Sequence, residues 1–170
     1  NASECMVLVE LLNTLRLSRI ALHARTGKQQ YKGHPDLEAF QGFYELCQHP
    51  LYYNGGIESL SDIRQILIRF PLLKGVFIGR GLLSSPLLAK EFKGNETFLP
   101  EQRMSIYFAF HEELFSAYSQ VLQGETQLLV KMKTLWEYFL PETDRKLLKR
   151  IKKSTRLQQY TESVKAIFTS

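Results

Sequence analysis

Two glycine turns carry the residues of this sequence that are best suited to binding an anion. Asn54-Gly55-Gly56 follows the apolar run Leu51 to Tyr53, and Gly79-Arg80-Gly81 follows the run Val76 to Ile78. Glycines let backbone N–H groups approach an anion closely, and an arginine presents a fork of donors that matches phosphate oxygens. One such turn alone is equally typical of an ordinary strand-to-helix connection. The occurrence of two successive turns predicts a phosphate site.

A basic segment near the end of the sequence is the second candidate for anion binding. Between residues 145 and 156 the sequence has seven basic residues and no acid, whereas the whole chain has a net charge of only +5. The seven are Arg145, Lys146, Lys149, Arg150, Lys152, Lys153 and Arg156. A charge-rich helix is often only a solvated face, but an uncompensated run of this size favours contact with the phosphates of a nucleic acid.

The elements that must position these residues follow two patterns. Helices predicted over 3–16, 36–47, 59–70 and 86–92 alternate with strands predicted over 19–23, 51–53 and 76–78. This alternation is typical of parallel strands joined by crossover helices. After Pro100 only helices are predicted, over 101–123, 127–140, 143–152 and 158–168, with Trp136, Tyr138 and Phe139 in their core. We therefore expect an α/β domain over 1–94 and a helical domain over 100–170.

The two glycine turns point to a particular α/β architecture. A (β/α)8 barrel builds its phosphate site from the turns after its seventh and eighth strands. Three strands cannot close a barrel, so the sequence predicts a partial (β/α)8 TIM barrel, its last three βα units, followed by a helical bundle. Such a piece would have two open sheet edges, and we expect it to associate with itself through them or to be poorly behaved.

Composition limits the class of protein to which this sequence can belong. The chain has 170 residues, of which 44% are hydrophobic, as in an ordinary globular protein. No apolar run is long enough to span a bilayer, and the N-terminus does not resemble a secretory signal. Cys5 and Cys47 are too few for a disulfide framework, and no histidine joins them in metal-ligand spacing. A cytoplasmic protein without a metal site is expected, in which His34, His49 and His111 are structural or exposed.

Three motifs together resemble one family. They are His23-Ala-Arg-Thr-Gly-Lys-Gln-Gln-Tyr-Lys-Gly33, Tyr53-Asn-Gly-Gly-Ile-Glu-Ser59 and Val76-Phe-Ile-Gly-Arg-Gly81 followed by Pro86. Their order and spacing, and a tail that includes Val130-Lys-Met-Lys133 and the basic segment, are similar to those of tRNA-dihydrouridine synthases. The resemblance extends over nearly the whole chain.

The resemblance implies an FMN-bearing barrel and a helical tRNA-binding domain. Enzymes of this kind use NADPH to reduce the flavin, which then reduces uridine in tRNA to 5,6-dihydrouridine. By resemblance, His23 would lie beside the flavin, and the FMN phosphate would be held by Asn54, Gly55, Gly56, Gly79 and Arg80. The residues expected to contact tRNA are Arg25, Lys28, Tyr31, Lys131, Lys133, Lys146, Lys149, Arg150, Lys153 and Arg156.

The chain also departs from the family pattern. Ala24 stands where the family commonly has glycine, and Gly56 stands where it commonly has an acid. The Asn-x-Gly-Cys-Pro loop that carries the family's proton-donating cysteine does not occur in this sequence, so we expect no catalytic residue in this chain and no activity from it alone. Two alternatives stay open: another FMN-binding barrel oxidoreductase, which would not need the basic helix, and a non-catalytic RNA-binding module, which would not need the glycine turns.

Overall fold

The computed structural model describes residues 2–25 and 33–169, which form a small parallel sheet and a series of helices. The first part contains α1 (Ala2–Asn13), β1 (Ile20–His23), α2 (Leu37–Leu46), β2 (Leu51–Asn54), α3 (Leu60–Arg69) and β3 (Gly75–Phe77). The second contains α4 (Arg80–Ser84), α5 (Leu88–Gly94), α6 (Pro100–Val121), α7 (Glu125–Leu135), α8 (Arg145–Lys153) and α9 (Leu157–Phe168). Within the described ranges, no helix is long and apolar enough to cross a membrane.

The sheet brings the ends of the three strands to one edge. Its strand order is β1-β2-β3, and both neighbouring pairs are parallel. In this register His23 pairs with Asn54, and Asn54 pairs with Phe77. Parallel strands present their carboxyl ends on the same side, so the residues that follow each strand are neighbours in space. The predicted succession of parallel strands and crossover helices is therefore confirmed.

Aromatic side chains and helix caps hold the α/β part together. Phe40 of α2 is fully buried, and its ring centroid lies 4.9 Å from those of both Tyr53 and Phe70. Ser59 and Asp62 form a reciprocal capping box that satisfies the backbone donors at the start of α3. These caps fix where the helix begins, and hence the length of the glycine turn between β2 and α3.

The apolar stripe of α1 does not identify the buried face of this helix. Val7, Leu8, Leu11, Leu12 and Leu15 support the prediction of a helix, and a helix is present. Val9 is the residue that is fully buried, however, whereas Val7 and Leu11 are 69% and 60% exposed. Because residues 7–9, 11 and 12 are all apolar, their periodicity alone does not select one side.

The chain consists of two compact units, an α/β unit, Asn1–Gly81, and a helical unit, Leu82–Ser170. The predicted α/β domain, 1–94, extends further and includes Leu87 and Leu88. Both are almost fully buried, and Leu87 belongs to the core cluster of the helical unit. The short helix α4, which begins at Arg80, was not predicted.

The helical unit is built around an aromatic core that contains three polar groups. Trp136 and Phe139 are almost fully buried, as predicted, whereas Tyr138 is only half-buried. The indole N–H of Trp136 donates to the Tyr160 hydroxyl at 2.9 Å, and the Tyr160 oxygen lies 2.6 Å from Nε2 of the buried His111. Since Tyr160 then donates to His111, Nε2 is an acceptor, and Nδ1 faces Glu112 at 3.1 Å. Burial lowers the pKa of His111 in spite of Glu112, which favours this neutral form.

Candidate anion-binding sites

A cavity of about 210 Å³ lies at the carboxyl edge of the sheet, and we call it the glycine cavity. All six residues predicted to hold a cofactor line it, namely His23, Asn54, Gly55, Gly56, Gly79 and Arg80. The ends of β1 and β2 supply His23 and Asn54, and the turn after β2 supplies Gly55 and Gly56. Gly79 follows β3, and Arg80 is the first residue of α4. The structure thus brings these residues together, although their binding role stays a prediction.

Glycines shape the walls of this cavity. Gly55 and Gly56 have φ angles of +136° and +61°, which side chains rarely adopt. A Cβ at Gly55 would lie 2.9 Å from the His23 ring, and a Cβ at Gly81 would collide with the carbonyl oxygen of Ile57. Gly79 differs, because a Cβ there would meet open space. Each turn therefore has one position, Gly55 or Gly81, that requires glycine on steric grounds. Gly79 has no such requirement.

Two guanidinium groups give the glycine cavity its positive charge. Partial burial, followed by the nearby charges of Arg25 and Arg80, lowers the pKa of His23, so its ring is neutral at pH 7. Glu58 also lines the cavity and carries the opposite charge. Two arginines against one carboxylate leave a net charge of +1, which suits a small anion.

Arg25 belongs to this cavity as well, whereas it was predicted to contact tRNA. It lines the glycine cavity, and its Nη2 donates to the carbonyl oxygen of Gly33 at 3.0 Å. The backbone N–H of Asp36 donates to the carbonyl oxygen of Ala24 at 2.8 Å, which also ties the two sides of the loop. Lys28 and Tyr31, the other predicted contacts of this loop, lie outside the described residues.

The second site is a groove of about 460 Å³ between α8 and α9, which we call the basic groove. One wall consists of Lys146, Lys149, Arg150 and Lys153, whose spacing places them on one face of α8. The other wall consists of Gln159, Glu162 and Ser163 from α9, and Ser154 lies between the two helices. The apolar side of α8 is fixed by Ile151, which is fully buried.

The cations of the basic groove are available to a ligand. All four side chains are exposed, and within residues 2–25 and 33–169 none of them lies within 4 Å of a carboxylate oxygen. Glu162, the one acid of the groove, accepts a hydrogen bond from Gln158 at 3.1 Å. Arg156 is exposed at the N-cap of α9 and does not line the groove.

The two predicted lysines of α7 differ in their surroundings. Lys131 is exposed, and its ammonium lies 5.3 Å from the ring centroid of Tyr118. Lys133 is half-buried, and its ammonium donates to the carbonyl oxygen of Ser154 at 2.9 Å. The observed partner of Lys133 is a backbone carbonyl at the end of α8.

Sequence reasoning missed the α9 wall of the basic groove and the place of Arg25 in the glycine cavity. Gln159, Glu162 and Ser163 have no motif, and only the pairing of α8 with α9 brings them opposite the cations. For Arg25 a signal existed, since it lies two residues beyond His23 at the end of β1. Residues so close to a strand end lie near the same sheet edge.

The fold and the two sites define a class of protein in which a parallel α/β unit has a glycine-lined cavity with two arginines and a helical unit has an exposed basic groove. The family model for dihydrouridine synthase matches residues 2–169. This chain therefore belongs to the dihydrouridine synthase family, and the resemblance seen in the sequence is confirmed.

Two curated relatives agree with this assignment. A probable tRNA-dihydrouridine synthase of Aquifex aeolicus is 34% identical over 86 residues, which are 51% of this chain and 27% of the relative. A probable tRNA-dihydrouridine synthase of Rhizobium leguminosarum bv. phaseoli is 36% identical over 67 residues, which are 39% of this chain and 21% of the relative. The aligned part of the chain thus spans about a quarter of the length of these relatives.

Proposed function

We propose that the chain forms the end of a (β/α)8 barrel and the RNA-binding helical unit of an FMN-dependent tRNA-dihydrouridine synthase. Three parallel strands with crossover helices and the family membership support the barrel. Both relatives are named as probable tRNA-dihydrouridine synthases, which supports tRNA as the substrate. The single observation that carries the proposal is that all six residues predicted for the cofactor line one cavity.

The residues of the glycine cavity fit the phosphate end of FMN. Its volume of about 210 Å³ is below the roughly 300–1,000 Å³ of pockets that enclose a whole drug-sized ligand. The glycine turns allow backbone N–H groups to approach an anion, and Arg80 and Arg25 add charge-assisted donors. His23, neutral at pH 7, can donate a hydrogen bond to the cofactor without adding charge to the cavity.

When bound, FMN supplies the hydride that reduces the C5–C6 bond of uridine, after its own reduction by NADPH. The protein residues of this chain bind and orient. Arg80, Arg25 and the glycine turns hold the anion, and His23 lies at the edge from which a flavin ring would extend. Cys47 donates through Sγ to the carbonyl oxygen of His49 at 3.6 Å, and neither cysteine lines the cavity. We therefore propose that this chain alone does not reduce uridine.

The basic groove supplies the contact to RNA in this proposal. Four exposed cations on one helix face can follow a phosphate backbone without reading a sequence. A non-catalytic RNA-binding protein is the second candidate, because the groove alone would be enough for it.

The visible absorption spectrum of the full-length gene product, purified without added cofactor, tests the proposal. We expect a flavin spectrum that is lost when Arg80 and His23 are replaced by methionine and asparagine. A colourless protein that still binds tRNA would contradict the flavin site and favour the RNA-binding protein. A flavoprotein that does not bind tRNA would favour another FMN-dependent oxidoreductase.

A further inference from the structure

Lys133, a residue of α7, contacts the carboxyl-terminal end of the basic helix α8. Its Nζ lies 2.9 Å from the carbonyl oxygen of Ser154, which is the C-cap residue of α8. The last carbonyls of a helix have no partner within the helix and lie at its negative end. An ammonium group at this point satisfies one of these carbonyls and matches the sign of the helix dipole.

Ser154 links this contact to the basic groove. It is 5% exposed, it lines the groove, and its hydroxyl donates to the carbonyl oxygen of Ile151 at 2.6 Å. Ile151 is itself fully buried in the core of the helical unit. The hydrogen bond from Lys133 therefore fixes the last turn of α8 to α7, at the floor of the groove.

The electrostatic environment shows that this contact is specific. The last turn of α8 carries Arg150, Lys152 and Lys153, so a further cation beside it is opposed by repulsion. The hydrogen bond to the carbonyl, at 2.9 Å, must compensate for this repulsion. Lys131, two residues earlier on the same helix, is exposed and lies instead over the ring of Tyr118. The two lysines thus carry the same charge but make different contacts.

We propose that Lys133 is a positioning residue for RNA binding, which holds the groove cations of α8 in place and does not contact phosphate itself. This inference rests on the proposed binding of RNA in the basic groove. It replaces the expectation, drawn from sequence, that Lys133 contacts tRNA directly.

The test is the salt dependence of tRNA binding by the full-length protein carrying Lys133→Met, Lys133→Gln or Lys133→Arg. A lysine that contacts phosphate contributes about 0.7–0.9 to the slope of log K against log salt. We expect Lys133→Met to bind tRNA about fivefold more weakly at every salt concentration, because it removes the hydrogen bond that the charged lysine donates to Ser154. The slope should stay at the wild-type value. Lys133→Arg should restore most of the affinity, and Lys133→Gln, a neutral donor, should be intermediate.

Lys131→Met is the matched control, because it removes the same charge from the same helix. Each variant is measured well below its own melting temperature. A slope reduced by about 0.7–0.9 in Lys133→Met would show a phosphate contact and overturn the inference. Wild-type affinity and slope in Lys133→Met, with only the melting temperature lowered, would show a merely structural role and overturn it too. Failure of every protein, the wild type included, to bind tRNA would instead overturn the proposed function, and this inference with it.

Discussion

The glycine cavity and the basic groove both suit an anion, but they are built in opposite ways. The cavity is formed by backbone turns that require glycine at Gly55 and Gly81, and it contains two guanidinium groups. The groove is formed by exposed basic side chains on one face of α8, opposite polar side chains of α9. A site made of fixed backbone selects a group by its shape, whereas a row of exposed cations attracts any polyanion and is screened by salt. The comparison shows that a single chain can contain one site whose shape is fixed by the backbone and another whose attraction for an anion depends on exposed charge.

Replacement of Gly81 by alanine is expected to have the largest effect. The new Cβ would collide with the carbonyl oxygen of Ile57, so the two turns must separate. We expect the full-length protein to lose FMN binding and about 1–3 kcal/mol of unfolding free energy, the usual cost of overpacking. Absorbance after gel filtration with FMN and chemical denaturation measure the two quantities.

Gly79→Ala is the matched control for this variant. A Cβ at Gly79 meets open space within the protein, so the unfolding free energy should stay at its wild-type value. Equal losses of unfolding free energy in Gly79→Ala and Gly81→Ala would mean that flexibility of the turn, and not its close approach to Ile57, matters for stability.

Charge reversal in the basic groove is expected to affect only RNA binding. Lys149, Arg150 and Lys153 are exposed, and their replacement by glutamate changes the charge by six units without burying a group. We expect tRNA affinity to fall about 100-fold or more and FMN content to stay unchanged. Filter binding over a range of salt concentrations and the flavin absorbance check the two parts of this prediction.

The same reversal at Arg16, Arg19 and Lys74, three exposed cations of the α/β unit, is the control. It changes net charge equally but leaves the groove intact. A similar loss of tRNA affinity in both triple variants would indicate that net charge, rather than the groove, attracts RNA.

The extent to which sequence predicted these two sites also differs. The glycine cavity could be predicted because its residues directly follow strands, and parallel strand ends meet at one sheet edge. For the basic groove, only the α8 wall could be predicted from helical spacing. The α9 wall depends on the packing of two helices, which no local pattern contains.

The fold shows the same limit. Strand and helix positions followed from hydrophobic periodicity and turn residues, and most ends agree within a few residues. The buried face of α1 could not be predicted, because its apolar residues surround most of the helix. The contact of Lys133 could not be predicted either, since its partner is a backbone carbonyl 21 residues away in sequence.

Replacement of Tyr160 by phenylalanine tests the buried hydrogen bonds of α9, the helix that forms one wall of the basic groove. Tyr160 is fully buried on α9, and its hydroxyl bonds both Trp136 and His111. Its loss leaves two buried polar atoms without this partner, at a cost of about 1–3 kcal/mol in unfolding free energy. Denaturation in urea measures this cost, with Tyr118→Phe, at a half-buried position of α6, as the control. An unfolding free energy within error of the wild type would show that a buried water replaces the hydroxyl.

The pH dependence of anion binding in the glycine cavity is the smallest expected effect, and it separates the two sites most directly. Burial and the charges of Arg25 and Arg80 hold the pKa of His23 below its ordinary value of 6.5. An anion bound between these groups stabilises the imidazolium and therefore raises this pKa. By linkage, binding is accompanied by proton uptake, so affinity increases as the pH falls through the pKa of His23.

Sulfate is the suitable probe, because it keeps its charge between about pH 8 and about pH 5 while His23 titrates. We expect roughly threefold tighter binding at the lower pH and a raised His23 pKa, both followed through its ring signals by NMR. His23→Asn should abolish the dependence. Among the described residues no histidine lines the basic groove, so sulfate bound there gives no such signal. A His23 titration that sulfate leaves unchanged would place the anion away from this ring and limit the cavity's binding group to its arginines and glycine turns.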